Sequence, residues 1–459
     1  MQNEVKNDAM SRMNQYVFVL GREKEICEAE LFAVLKRFCF EYDKISLTDS
    51  LLYINFLNDY PVGSIVNLLG GTIKAYKVMD SFEPSRIEHS LFDLAGAEIS
   101  KRSHLLQKTI DFGLSFYFSG YNTVKINQFG FKIKQRLKKK GVATRFLALK
   151  SDQVIPNAVT ASAKLLDKGI EFGVFRFDET CFVGMLKGFS DLNDWSKRDY
   201  SKPAGDKYSG MLPPKLARMM INLAIGQEPG VQSRVSGARC QEPGVKDDLQ
   251  NLRQTFCPQL IAPNPQLQAP SSLLLDPFCG SGNILLEGLL TGFDVMGCDI
   301  SDRSVSDSKR NIDWLKIEYP QVENKSPVTQ CDATTADFTK IIESAVDKGK
   351  IKNLIVVSEP FLGKPKKLKA SYKDIDEYEE VRNIYLSFLQ NTVALKPYSP
   401  IFCLVFPLVE TIDGSRYSLI NSSVDEIRKM GYTLIRTPLT YGREYQIVKR
   451  EIVLLALDN

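Results

Sequence analysis

Histidine is nearly absent from these 459 residues, with His89 and His104 the whole supply. Neither a His-based metal centre nor a Ser-His-Asp triad has its parts, and no metal is expected. Cysteine pairs of the C-x-x-C kind are missing too. Nine cysteines are scattered along the chain, several inside apolar runs (Cys39, Cys298, Cys403). That pattern predicts reduced thiols rather than disulfides or a zinc site. No apolar run approaches the roughly 20 residues that span a bilayer, so no membrane partner is expected. The start, Met1-Gln-Asn-Glu-Val-Lys6, lacks the apolar core of a signal peptide, and a cytoplasmic location follows as the expectation. The hydrophobic share of 44% and charged share of 25% are those of an ordinary globular protein, and the length suits two or three domains.

The net charge of +4 hides an uneven distribution. Between Lys101 and Lys150 twelve residues are basic and Asp111 is the sole acid. A block of one sign is the footprint expected for a polyanion partner. Lys132, Lys134, Arg136, Lys138, Lys139, Lys140 and Arg145 are the candidate RNA-binding residues.

Periodicity divides the chain further. Tyr16-Val-Phe-Val-Leu20, Leu51-Leu-Tyr-Ile-Asn-Phe56 and Ile73-Lys-Ala-Tyr-Lys-Val78 read as strands. Helical spacing runs from Glu25 to Phe38 and from Pro61 to Leu69, which predicts a small ferredoxin-like α/β unit over 1–100. A second α/β unit, 101–190, carries the basic block on a helix from Asn127 to Lys140 stopped by Gly141, and Pro156 opens another helix through Leu166. Residues 226–270 are rich in Gln, Pro and Gly and hold Gln-Glu-Pro-Gly-Val twice, at 227–231 and 241–245. This stretch is expected to be a mobile insertion in a third unit, 195–459. From Ser272 strands and helices alternate, which predicts an open doubly wound α/β sheet, Rossmann-like, with its ligand crevice at the carboxyl ends of the strands.

One stretch of that sheet carries most of the chemistry. Ser272-Leu-Leu-Leu275 runs into Asp276-Pro-Phe-Cys-Gly-Ser-Gly-Asn283, a strand ending in an acid, then a glycine-rich turn, then a helix. Such turns bind nucleotide-type cofactors because glycines let backbone N–H groups come close. Asp276 would repel a pyrophosphate but suits a ligand with an amino group and a sulfonium, such as S-adenosylmethionine. Leu285 stands where a dinucleotide fingerprint needs its third glycine, so methyl transfer leads hydride transfer. Asp276, Phe278, Cys279, Gly280, Ser281, Gly282 and Asn283 are therefore candidate cofactor contacts. Asp299, 17 residues after Gly282, ends the next strand beside Ile300 and is placed for two ribose hydroxyls. Asp332, with Ala333, follows the third strand and is placed for the adenine. After the fourth strand comes Ser358-Glu-Pro-Phe361. A side-chain oxygen of Ser358 or Glu359 and a carbonyl of Glu359 or Pro360 are the candidate acceptors for the hydrogens of an exocyclic amine. Phe361 is placed to stack on the base.

These motifs resemble the THUMP-domain tRNA guanine N2-methyltransferases, a class I S-adenosylmethionine-dependent family, especially its guanine-10 type. The resemblance covers nearly the whole chain. Tyr16-Val-Phe-Val-Leu-Gly21, Glu28-Ala-Glu-Leu31 and Leu69-Gly-Gly-Thr-Ile-Lys74 are similar to the family's N-terminal ferredoxin-like domain. The basic block and Lys164-Leu-Leu-Asp-Lys-Gly169 are similar to THUMP. Arg198-Asp-Tyr-Ser-Lys-Pro203 and Gly210-Met-Leu-Pro-Pro-Lys-Leu-Ala-Arg218 are the most family-specific. They imply that Met211, Leu212 and Pro213 lie near the methionine end of the cofactor. The resemblance implies a tRNA partner and methyl transfer to a guanine N2 amine, and leaves room for a small activator subunit that the sequence does not itself indicate. The chain departs from the family at Asn283, where Thr is usual, and at the acceptor motif, Asp or Asn then Pro-Pro-Tyr, of which only Pro360 remains. Another tRNA guanine, an amino group of ribosomal RNA or DNA, or a tRNA-binding protein without turnover stay open as alternatives.

Overall fold

The computed structural model describes residues 14–48, 50–205, 211–227, 272–345, 351, 353–364, 372–443 and 446–458. The insertion expected at 226–270 lies almost wholly outside them. Two sheets organise the molecule. The first has eight strands: β1 (Gln15–Leu20), β2 (Tyr42–Thr48), β3 (Leu51–Phe56), β4 (Thr72–Phe82), β5 (Ile110–Phe116), β6 (Thr144–Phe146), β7 (Ile170–Phe177) and β8 (Thr180–Phe189), in the order β2-β3-β1-β4-β8-β7-β5-β6.

The two N-terminal segments therefore share one sheet. β4 pairs with β1 on one side and antiparallel with β8 on the other, and the boundary expected at 100/101 falls inside helix Ile87–Leu106. β4 is 11 residues long, and its stretch Lys74–Lys77 pairs on both edges at once. A buried polar cluster closes the seam. Lys74 Nζ meets Glu171 Oε1 at 2.6 Å and donates to the Ile155 carbonyl at 2.7 Å, while Tyr76, Ser115 and Thr160 donate to the same carboxylate. Burial lowers the Lys74 pKa and the Glu171 charge opposes that shift. Paired this way the two charges escape the cost of isolated burial, and losing either would strand the other.

Three local expectations are revised. Residues 61–69 form only a short turn of helix, Val62–Ile65, and a 3-10 turn, Val66–Leu68. The helix expected through Leu166 stops at Ser162. The basic helix starts earlier, at Thr123, because the Asn122 side chain accepts from the Lys125 N–H at 2.9 Å and caps it. Gly141, with φ +76°, follows its end as expected.

The second sheet is built from β9 (Ser272–Asp276), β10 (Asp294–Asp299), β11 (Val328–Gln330), β12 (Asn353–Ser358), β13 (Ile401–Glu410), β14 (Arg416–Ser418), β15 (Tyr432–Leu434), β16 (Leu439–Tyr441) and β17 (Val448–Leu457). Its order is β11-β10-β9-β12-β13-β17-β15, with β14 beside β13 and β16 beside β17. The first five strands on that path are parallel, and β17 runs antiparallel between β13 and β15. The chain reverses its strand order between β9 and β12, so the crevice for a ligand opens beyond those carboxyl ends. Both faces are covered. Leu274, Val295, Ile355 and Val357 point into one core, and Leu273, Leu275, Met296 and Val356 into the other.

The two sheets are not independent bodies. Helix α1 (Lys24–Arg37) packs on helix α2 (Pro214–Ile225), and α2 packs on the second sheet, so α2 is buried almost all round. One continuous core runs from Phe18 and Leu31 through Leu216 and Leu223 to Leu274 and Val357. Glu30 of α1 is buried at the joint, where its carboxylate accepts from the Gly70 and Gly71 amides at 2.8 Å each and from Asn222 of α2 at 2.7 Å. Burial nonetheless pushes its pKa up to about 7.

The expectation of reduced thiols throughout is corrected in one place. Cys298 and Cys331 are joined by a disulfide between the ends of the neighbouring parallel strands β10 and β11, with Cα atoms 5.7 Å apart. Adjacent strands brought these two side chains together, a proximity that their 33-residue separation does not reveal.

Candidate active site

The glycine-rich turn is fixed by backbone chemistry before any ligand is considered. Leaving β9, the chain bends so that the Gly282 N–H bonds the Cys279 carbonyl at 2.7 Å and the Cys279 N–H bonds Cys298 of β10 at 2.9 Å. Gly282 has φ +88°, and a Cβ there would meet Ser308 Oγ at 2.9 Å. Glycine is thus required both by conformation and by the close approach of helix α4 (Asp302–Glu318), which follows helix α3 (Asn283–Leu290). Asp299, at the end of β10, accepts from the Gly280 N–H at 2.9 Å and from the Ser301 N–H at 2.9 Å. One carboxylate therefore ties the turn to the start of α4.

Around this turn lies a cleft of about 1090 Å³. Met211, Leu212, Asp276, Phe278, Cys279, Gly280, Ser281, Asn283, Asp299, Ile300, Asp332 and Ala333 all line it. Pro213 and Gly282 do not: Pro213 caps α2 and Gly282 caps α3. The segment before α2 is clasped over the turn. Asn283 donates to the Leu212 carbonyl at 2.6 Å and accepts from Lys202, Asn311 bonds both backbone groups of Ala204, and Ser281 Oγ donates to Met211 Sδ at 3.4 Å. A side-chain amide has a donor and an acceptor arm, so Asn283 holds two partners at once. Beneath α3, Glu287 is clamped between Arg198 and Arg218 at 2.7 Å each, which fixes the helix that carries the turn.

The strand-end acids differ in environment. Asp276 is 1% exposed, and burial pushes its pKa up to about 7, against hydrogen bonds from Ser358 and Phe278 that lower it. The charges of Asp299 and Glu359 add to the upward push. Asp332 accepts from the Thr334 N–H and hydroxyl at 2.9 and 2.7 Å, a turn that presents Ala333 and Thr334 to the cleft.

The neighbouring strand end, after β12, departs from expectation. Ser358 is fully buried, does not line the cleft, and donates its hydroxyl to Asp276 Oδ1 at 2.5 Å. Its role as an acceptor for a substrate amine is corrected accordingly: the side chain supports the neighbouring acid. Glu359, Pro360 and Phe361 line the cleft. Arg450 of β17 donates from Nε to Glu359 Oε1 at 2.5 Å, with its second guanidinium nitrogen 3.5 Å from Oε2. Both side chains are largely buried, and Arg450 holds down a Glu359 pKa that burial raises. Arg450, Val448 and Gln446 line the same cleft and were not anticipated. The alternation of Val448 and Arg450 ahead of an apolar run was the available signal, but it names no partner.

On the basic helix Lys132, Arg136, Lys138 and Lys139 are exposed, as are Lys140 at its C-cap and Arg145 on β6; Lys134 is half-buried, while Ile133 and Leu137 face the core. Two of these cations already have acids: Arg136 meets Asp93 at 3.1 Å and Arg145 bonds Asp111 at 2.8 Å. Among the described residues no cluster of three His, Cys, Asp or Glu side chains is arranged to hold a metal ion. No helix among them is long and apolar enough to cross a membrane.

TrmN from Thermus thermophilus has a similar structure, with a TM-score of 0.50 at 14% identity, over 96% of this chain and all of that one. The chain has the class I methyltransferase fold. Within its sequence, 182 residues are 25% identical to the tRNA (guanine(10)-N2)-dimethyltransferase of Methanocaldococcus jannaschii. That match spans 39% of this chain and 38% of the length of the curated relative. No family model matches the chain. The resemblance to THUMP-domain tRNA guanine N2-methyltransferases read from the motifs is borne out by this relative and this fold, and the methyltransferase sheet is the one that carries the cleft.

Proposed function

We propose that this methyltransferase-fold chain acts on the exocyclic N2 amine of a guanine in tRNA, with guanine 10 the leading position and S-adenosylmethionine the donor. The observation that supports this most is one cleft bounded by three strand-end acids, Asp276, Asp299 and Asp332, and by Glu359-Pro360-Phe361. S-adenosylmethionine bound there would supply an electrophilic methyl carbon.

The residues present fit such a donor. Asp276 is a buried acid poised near neutrality, and a cationic amino group beside it would favour its ionised form. The Asp299 carboxylate has lone pairs beyond those taken by Gly280 and Ser301 and suits a ribose diol. Ala333 and Ile300 offer apolar contact to an adenine. On the other wall Phe361, 51% exposed, offers a platform for a base that has left its stack, and Glu359 an acceptor for its amine hydrogens. Fixed groups of this kind act by orientation and electrostatics. The exposed lysines of the basic helix would grip tRNA by its phosphates, and the target would be chosen by shape and reach.

The position of Ser358 favours one second reading, a chain that binds tRNA and cofactor without turnover. Purified protein incubated with unmodified tRNA and labelled S-adenosylmethionine, followed by nucleoside mass spectrometry, separates the two. N2-methylated guanosine is the expected product. No label on any nucleoside, alongside calorimetric binding of the donor, would establish the second reading instead.

A further inference from the structure

The cleft is also lined by a side-chain pair, Glu359 and Arg450, that the Asp/Asn-Pro-Pro-Tyr pattern does not name. Glu359 leaves the end of β12, and Arg450 reaches it from β17, 91 residues away in sequence. The guanidinium addresses both carboxylate oxygens, at 2.5 and 3.5 Å, so the plane of the carboxylate is set by Arg450 rather than by rotation about its own bonds. The pair is mostly buried, which makes its geometry more costly to disturb than that of a surface ion pair. Phe361 lines the same cleft, half exposed.

A carboxylate offers acceptors only. On its pairing edge guanine presents two adjacent donors, N1–H and the N2 amine. Adenine presents a bare N1 lone pair at the matching place, which a carboxylate repels. Given the methyl-transfer reading above, on which this step rests, we infer that Glu359 reads the N1–H and N2–H groups of the target guanine and that Arg450 is the positioning residue that orients it. Ser358 has no share in this recognition, since its hydroxyl serves Asp276. The pocket then selects guanine by a two-point contact, where an Asp-Pro-Pro-Tyr loop has a shorter acid at a different position.

Calorimetry on the full chain, saturated with the demethylated product of the donor, tests the contact directly. Guanosine 5′-monophosphate should bind about 10- to 100-fold more tightly than adenosine 5′-monophosphate, as expected for hydrogen bonds to a charged group. Glu359→Gln should erase that preference, because an amide can turn either a donor or an acceptor to the base. Equal affinity of the wild-type chain for the two nucleotides, absence of binding by both included, overturns the inference. A pH profile tests the positioning role. Among the described residues, the charged and titratable groups that interact with Glu359 are Arg450 from β17, Asp276 from β9 and Tyr385 from helix Tyr372–Thr392. Arg450→Gln removes the charge that favours ionised Glu359, so the acid limb of methylation should move to higher pH, with activity recovering as pH rises. Loss by one factor at every pH would leave Arg450 a packing role only. A wild-type chain that labels no guanine refutes the methyl-transfer reading itself, whereas labelled guanine with an unaltered base preference in Glu359→Gln refutes only this step.

Discussion

The two walls of the cleft are built by opposite means. The wall of Asp276, Asp299 and Asp332 is assembled from consecutive strand ends, and its key contacts, such as Gly280 to Asp299, span about one strand-helix repeat. The wall of Glu359 depends on Arg450 from a strand that runs antiparallel at the far end of the chain. Short-range construction makes the first wall tolerant of what happens elsewhere and intolerant of change in the turn. The first wall keeps its glycine-rich turn, whereas the second, Ser358-Glu-Pro-Phe361, departs from the Asp/Asn-Pro-Pro-Tyr pattern.

The largest test of that contrast is Gly282→Val. A β-branched residue at φ +88° pressed against Ser308 should cost about 3 kcal/mol or more of stability and abolish donor binding. A melting curve unchanged from the wild type would mean the turn is less constrained than the first wall requires. Asp299→Ala should follow, weakening donor binding by about 100-fold in calorimetry through the loss of charge-assisted hydrogen bonds, while tRNA affinity stays near the wild-type value. Equal loss of both affinities would merge the two walls into one functional unit. Next comes pH. Because the free Asp276 carboxyl titrates near 7 and a cationic ligand favours its charged form, donor affinity should fall as pH drops below about 7. Ser358→Ala removes a hydrogen bond that lowers this pKa, so it should shift the fall to higher pH and leave the choice of base unchanged. A changed base with an unshifted profile would return Ser358 to the acceptor role. The smallest effect on the cleft should come from replacing Lys138, Lys139 and Lys140 together. Donor affinity should not move, while tRNA affinity falls and its salt slope flattens by about 2. An unchanged slope would place the grip elsewhere.

Legibility in the sequence follows the same division. The strands of the methyltransferase sheet could be read from short apolar runs, and the donor wall from acids at their ends, because the ties within the turn, such as Gly280 to Asp299, span one strand-helix repeat. Asn283 was visible as a departure from Thr, but its two-armed clasp on Leu212 and Lys202 was not, since nothing in the spacing says which segment covers the turn. Ser358, expected on the cleft, bonds Asp276 instead, because strand alternation decides which way a terminal side chain points and the strand end was uncertain by one residue. Arg450 and the pairing of β4 with β8 were invisible for one reason. Each joins segments far apart in the chain, and a single sequence carries no record of which strands become neighbours. Edge strand β2 escaped notice because five of its seven positions are charged or hydroxyl-bearing and only Ile45 and Leu47 are aliphatic, a muted apolar signal.

The burial of helix Pro214–Ile225 between α1 and the methyltransferase sheet has a consequence for how a nucleic acid would be measured. A helix locked on two sides leaves no hinge there, so the basic face and the cleft keep a set spacing, like the jaws of a fixed caliper. For an enzyme of tRNA, that spacing would choose the nucleotide by its distance from whatever feature the basic face grips. Loosening the joint, at Glu30 or Asn222, would then blur which position is modified before it slowed the reaction.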